Sequence, residues 1–379
     1  MKKIAFLIES LNLGGAETSL VTFLNNLDYT KYEVDLYLFT KENYFLKYIP
    51  KNVNVIFINP ASLSFVERLK YRLLKKLKGK KFHNAQLFWN IVKDKFYIVN
   101  KEYDVVHAYN QGFVTYFCDK YIKSEKKYAW INIDYQKVNY DISFDYSFYK
   151  NYTKVIAIST EVKRGFEEEL NKINKNVDID IIKLFVDDKL VHSQSIEKLD
   201  TVFDSNKINI VTVCRLTKQK GLHFAVESCK KLIDKNYSIH WYVVGEGIER
   251  PFLENLIEIN GLKDHFTLIG VKENPFPYVK ACDIYVQTSI FEGLGLTVVE
   301  ASLLHKPIVC TNFPTAYEIL RNDQTGFIVE MNSDDISNAV QKLIEQPDLR
   351  TRFHDTLSVQ PNPDKQESIN RIDKLMMNS

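Results

Sequence analysis

Cysteine is scarce in this sequence, and what there is of it is scattered. Cys118, Cys214, Cys229, Cys282 and Cys310 show no C-x-x-C spacing, are odd in number and sit mostly between apolar neighbours. That pattern excludes a disulfide framework and a zinc site and predicts reduced core thiols in a cytosolic protein. Long apolar runs are missing too: none approaches the roughly 20 residues that span a bilayer. The first run, KKIAFLIES, is too short and too soon broken by Glu9 for a signal peptide. There is no low-complexity tract and no short-period repeat. The pair Gly14–Gly15 does not fit G-x-G-x-x-G, which argues against a dinucleotide oxidoreductase. The acids of DID, residues 178–180, read as lone alternating side chains on an exposed strand, so no metal site is expected.

What is present is an ordinary globular balance, 45% apolar and 26% charged, in a chain too long for one core. The formal net charge of +2 conceals an asymmetry. Residues 1–186 carry 29 Lys and Arg against 21 Asp and Glu, and the remainder 21 against 27. A basic first half implies an anionic partner. Apolar runs such as IAFLI, EVDLYLF, VNVIFI, DVVHAY, KYAWINI and KVIAIS alternate with stretches of helical spacing. The rhythm restarts after about residue 200 with INIVTVCRL, SIHWYVVG, FTLIG, DIYVQTS and KPIVCT. Such alternation predicts parallel α/β domains. Two are expected, 1–186 and 187–355, with a helical tail, 356–379, reaching back to the first.

In open α/β sheets, ligands bind beyond the carboxyl ends of the strands, so the loops there hold the candidates. Gly14 and Gly15 permit close backbone approach and open a helix whose N–H groups suit an anion; a plain tight turn explains them equally well. Arg215 and Lys220 leave a strand end beside another helix start. Two cations there suit a diphosphate, with an exposed basic turn as the alternative. VVGEGIERP and FTLIGVKEN, the latter with Val271, are either backbone contacts to a base edge or simple turns. SIFEGLGLTVVEAS, residues 289–302, sets Glu292 in a glycine turn and Glu300 in the helix after it, with Gly293 and Gly295 freeing N–H groups at the helix start. An acid on an apolar helix needs a partner. That partner is a pair of sugar hydroxyls, which one carboxylate can accept together, or an internal Lys or Arg.

In order, R-L-x-x-x-K-G, V-V-G-E-G, L-x-G, E-G-L-G-L-x-x-x-E-A-S, K-P-I-V and T-G-F-I-V resemble the family-4 glycosyltransferases of GT-B fold. The resemblance is close over residues 207–330 and loose before them, where G-G-A-E is shared. It implies two Rossmann-like domains facing across a cleft. It also implies that Arg215 and Lys220 hold the diphosphate of a nucleotide sugar, that Glu300 binds the ribose hydroxyls and that Glu292 lies at the donor sugar. The amides of Gly293, Leu294, Gly295 and Leu296 would assist, and Gly14 and Gly15 would approach from the other domain. Retention of configuration without metal or other cofactor is implied, with a uridine rather than guanosine diphosphate sugar as donor. The group moved would be a hexose or N-acetylhexosamine, and the acceptor a glycan, lipid-linked or polymer molecule of bacterial surface polysaccharide assembly.

Many relatives read A-W-I-H-x-D on a mid-domain strand. Here the run is AWINID, residues 129–134, with Asn132 in the histidine's place and Asp134 beyond it. Asparagine takes no proton at neutral pH, so a same-face route in which the departing phosphate takes the acceptor's proton fits better than a base at this position. His107, in DVVHAYN, is the other candidate base, or a loop cap. RLKYRLLKKLKGKKF, residues 68–82, has eight Lys and Arg, no acid, and leucines at helical spacing. It suits the anionic inner face of the cell membrane or a polyanionic acceptor, or else is a solvated helix on its own domain. No nucleic-acid module is recognisable. Two rivals stand. A sugar-nucleotide epimerase lacks an acid/base set around the sugar. A binding partner subunit without activity is favoured by Asn132 and opposed by the intact Arg215, Lys220, Glu292 and Glu300 set.

Overall fold

The apolar runs become strands of two parallel sheets in the computed structural model, which describes residues 1–12, 14–41, 43–59, 62–79, 81–200, 203–360 and 363–377. One compact unit comprises Met1–Phe185 with Pro363–Ser379, the other Val186–Asn362. In the first unit the chain runs through β1 (Lys2–Ile8), α1 (Gly15–Asn25), β2 (Tyr32–Leu38), β3 (Val53–Phe57), α2 (Phe65–Lys78), α3 (Asn84–Val92) and β4 (Glu102–Ala108). It continues through α4 (Phe113–Tyr121), β5 (Lys123–Ile131), α5 (Ile142–Tyr149), β6 (Lys154–Ala157), α6 (Thr160–Lys172) and β7 (Ile179–Ile181). Ile4 to Ile8 are all buried, because helices flank a parallel sheet on both faces and its strands need no polar side. The order is β3-β2-β1-β4-β5-β6-β7 and reverses between β1 and β4. Asp178 and Asp180 of DID lie at the outer strand β7, where Lys154 meets both and Arg371 meets Asp180 at 2.5 Å.

The second unit runs α7 (Asp188–Ser195), β8 (Ile208–Val213), α8 (Leu222–Asp234), β9 (Ile239–Val244), α9 (Arg250–Ile259), β10 (Phe266–Gly270) and α10 (Phe276–Ala281). Then follow β11 (Ile284–Gln287), α11 (Leu296–Leu303), β12 (Ile308–Thr311), α12 (Ala316–Ile319), β13 (Phe327–Val329), α13 (Ser333–Glu345) and α14 (Pro347–Ser358). Its order, β10-β9-β8-β11-β12-β13, reverses between β8 and β11. Ile210, Val243, Ile284 and Val309 of the sheet pack with Leu222 and Val226 of α8 and with Val340 and Leu343 of α13. All five cysteines are buried and unbridged.

The division expected at 355/356 falls inside α14, and the chain rejoins the first unit only from Pro363. There α15 (Pro363–Met377) buries Ser368, Ile372 and Met376, one face at spacings of four. Tyr32 Oη donates to Asp373 at 2.7 Å and Lys2 Nζ to the carbonyl of Met377 at 2.7 Å.

Asp145 of α5 is fully buried in the first unit with no cation against it among the described residues. Its Oδ1 accepts from the Tyr116 hydroxyl and from Gln86 Nε2 (2.7 Å), its Oδ2 from Tyr135 Oη (2.8 Å), and Tyr149 Oη lies 2.9 Å from that hydroxyl. Burial pushes its carboxyl up to about 6. A raised acid favours the fold below its unfolded value and loses that contribution as pH rises through the folded value. Asparagine would keep an acceptor for Tyr116 and Gln86 while Tyr135 turns its proton to Tyr149. Relative to Asp145→Asn, the parent is therefore expected to lose ~2–3 kcal/mol of stability between pH ~4 and ~6. Denaturant melts of both proteins across that range check this, and parallel stability curves would refute it.

Candidate active site

Strand order sets the loops after β8 and β11 side by side, and hydrogen bonds lace them together. The Ile290 amide donates to Gln219 O at 2.8 Å, Gln219 Nε2 to Phe291 O at 2.9 Å, and Thr288 Oγ1 to Lys220 O at 2.8 Å. A Cβ on Gly221 would lie 2.2 Å from Thr288 O, and Gly221 has φ of 58°. Only glycine satisfies both demands. Lys220, one residue earlier, is thereby aimed at the neighbouring loop.

Its Nζ lies 2.6 Å from Glu292 Oε1, with the two side chains 11% and 8% exposed. The same oxygen accepts from Ser289 Oγ (2.6 Å) and Gln287 Nε2 (3.3 Å), and Tyr285 Oη, donating to Gln287 Oε1 at 2.9 Å, orients that amide. The sequence suggested separate posts for Lys220 and Glu292, whereas the fold joins them in one contact. Ser289 and Gln287 escaped the sequence reading. Their only signal is a run of polar residues, QTS, closing an apolar strand.

Arg215 is exposed in the turn after β8, and among the described residues no acid pairs with it. The glycine turns beyond β9 and β10 are joined to this turn through the backbone: Leu216 N donates to Glu246 O at 2.9 Å and Gly245 N to Gly270 O at 2.8 Å. Val271, next to that bridge, is 52% exposed. Buried Leu294 leads to Gly295, whose φ of 88° caps α11 and directs its first N–H groups, from Leu296 onward, out of the helix end. Glu300 lies one turn further in. Among the described residues no Lys, Arg or hydrogen-bond donor meets it, so the internal partner is not realised. Glu300 is half-buried as a residue, and desolvation of its carboxyl pushes that group up to about 8.

Residues 194–356, which contain all these groups, match the family described as glycosyl transferases group 1. The match lies wholly within the second unit. The chain is similar to an uncharacterized glycosyltransferase, MJ1059, of Methanocaldococcus jannaschii (28% identity over 172 residues, 45% of this chain and 42% of the relative). It is also similar to the lipopolysaccharide core biosynthesis glycosyltransferase LpsE of Rhizobium meliloti (24% over 216 residues, 56% and 61%). A third relative is the N-acetylgalactosamine-N,N'-diacetylbacillosaminyl-diphospho-undecaprenol 4-alpha-N-acetylgalactosaminyltransferase of Campylobacter jejuni (26% over 146 residues, 38% and 39%). The chain spans less than two thirds of the length of each. Over its whole length the fold matches Anabaena Alr3699/HepE in complex with UDP and glucose (TM-score 0.72, 16% identity, 100% of both chains). It likewise matches a Staphylococcus aureus TarM variant in complex with Fondaparinux, alpha-GlcNAc-glycerol and UDP (TM-score 0.71, 14% identity, 100% of both). The architecture is the expected GT-B fold.

Outside the matched residues, the first-unit candidates are less uniform. Gly14 is the extended N-cap of α1 and Gly15 its first residue, and Leu13 lies outside the described residues. His107 is a core residue rather than a site base. It is fully buried on β4, its ring stacks on Phe6 (4.8 Å between centroids), and Trp130 Nε1 donates to its Nδ1 at 3.1 Å. Burial depresses it to about 3, so it stays neutral. Asn132 follows β5 with its Nδ2 donating to Tyr109 O (2.7 Å) and its amide to Gln111 Oε1 (3.0 Å), which ties it to the loop after β4. Asp134 Oδ1 accepts from the amide of Gln136 at 2.9 Å, a local turn cap.

Proposed function

We propose that this chain is a retaining, metal-independent glycosyltransferase of family 4. It would move a hexose or N-acetylhexosamine from a uridine diphosphate sugar to a glycan, lipid-linked or polymer acceptor. One observation carries the reading. At the switch point of the second unit, the loops after β8 and β11 and the helix α11 carry Arg215, the Lys220–Glu292 pair and Glu300, and among the described residues neither Arg215 nor Glu300 has an ion-pair partner. The bond from the anomeric carbon to the diphosphate breaks, and the acceptor oxygen bonds to that carbon on the same face. The acceptor's proton passes to the departing phosphate, so no protein base is required. That accords with a core position for His107 and an amide at Asn132. Charge growing on the phosphate is met by Arg215, Lys220 and the first N–H groups of α11. The Lys220 ammonium has three donors, enough to keep Glu292 and add a phosphate oxygen. Glu300 accepts two ribose hydroxyls. The names of the relatives support the acceptor class, and UDP in the structural neighbours supports the donor. The reading puts the chain on the cytoplasmic side of bacterial surface-glycan assembly, a setting that the names of the relatives support. Among the described residues no helix is long and apolar enough to cross a membrane.

The test is nucleotide release from a panel of uridine and guanosine diphosphate sugars, with and without EDTA. Slow release from one uridine donor, unchanged by EDTA, is expected, and magnetic resonance of the product should show the donor's anomeric configuration kept. Inversion, or loss of release with EDTA, would refute the mechanism. Binding without release from any donor, even with acceptor extracts, would favour the partner-subunit reading that Asn132 keeps open.

A further inference from the structure

The leucine spacing that marks a core-facing helix is present in α2, yet Leu69, Leu73 and Leu77 do not face the core. Ser64 caps this helix in a box with Glu67, Ser64 N donating to Glu67 Oε2 at 2.7 Å and Glu67 N to Ser64 Oγ at 3.3 Å. Glu67, Tyr71 and Leu74 are half-buried at i, i+4 and i+7 and mark the face that packs on its own unit. Tyr71 meets Phe88 of α3, and Lys95 Nζ pairs with Glu67 at 2.6 Å. Phe65, Leu69, Leu73 and Leu77 form a separate stripe and are 82%, 59%, 56% and 70% exposed. No residue of α2 is buried. Arg68, Lys70, Arg72, Lys75 and Lys76 flank the stripe, and among the described residues none has an acidic partner. Lys80 lies outside the described residues. The one acid of the helix is the inward, neutralised Glu67.

We propose that this face of α2 docks on an anionic lipid bilayer. The stripe would enter the acyl boundary, and the cations on its flanks would meet lipid phosphates. At about 20 Å the helix lies along the surface instead of crossing it. Charge decides between occupants. A second copy would press five cations against five, and a nucleic acid would leave the leucines in water. The inference is independent of sugar transfer, since its readout needs no turnover.

The experiment is co-sedimentation of the full chain with phosphatidylcholine vesicles, with and without phosphatidylglycerol. Binding is expected only with phosphatidylglycerol. It should fall roughly tenfold or more in Leu69→Asp/Leu73→Asp and again in Lys75→Glu/Lys76→Glu. These side chains are exposed, so thermal melts should match the parent and certify the fold. Absence of binding, equal binding to neutral vesicles, or binding untouched by the leucine changes would overturn the proposal. So would a lipid-free dimer that Leu69→Asp dissolves.

Discussion

Replacing Lys220 by alanine is expected to lower turnover of the screened donor by about 10²–10³-fold, roughly 3–4 kcal/mol of transition-state stabilisation. The ammonium is 11% exposed and held at 2.6 Å from Glu292 in a loop that a glycine pins to its neighbour. A cation fixed before the reaction needs no reorganisation as charge gathers on the departing phosphate, so its loss should strike kcat more than KM. Unchanged turnover would remove Lys220 from the mechanism. The single variant also leaves Glu292 buried without its counter-ion, at a stability cost of about 3 kcal/mol. Adding Glu292→Gln separates the two effects. The neutral amide still accepts from Ser289, so the double variant should regain stability without regaining turnover. Recovered turnover would mean that Lys220 serves only to neutralise Glu292.

The parts of this picture that are local in the chain were legible in the sequence, and those that depend on strand order were not. Runs such as IAFLI and INIVTV announce buried parallel strands because both sheet faces are covered. The Lys220–Glu292 contact joins residues 72 apart, and only the placement of β11 beside β8 creates it. His107 ended a strand as a site histidine might, but its fate rests on Phe6 and Trp130, each distant in sequence. Leu69, Leu73 and Leu77 of α2 gave a clear helical period. Which side of the helix met α3 was decided by Tyr71 and Leu74, two residues on the opposite face.

Glu300 yields the second large effect, and its sign follows from burial. Its carboxyl is pushed up to about 8 in the ligand-free protein, and among the described residues no counter-ion or donor holds the charge. The ionised form is the one that accepts two ribose hydroxyls. At pH 7 only about a tenth of the molecules have it, so the apparent donor affinity should be about tenfold below its value well above pH 8. Affinity should therefore rise with pH, and binding at neutral pH should release a proton. Calorimetry of the sugar nucleotide in two buffers of different ionisation enthalpy measures that release. In Glu300→Gln one acceptor becomes a donor and nothing titrates. Affinity above pH 8 is expected to fall about 10–100-fold, and the gap to the parent should narrow as pH drops towards 6. A pH profile shared by parent and variant would place the titrating group elsewhere and leave the ribose without its carboxylate. Full affinity in the variant would do more. It would return Glu300 to the role of a half-buried structural acid, whose raised pKa reports desolvation and nothing about the donor.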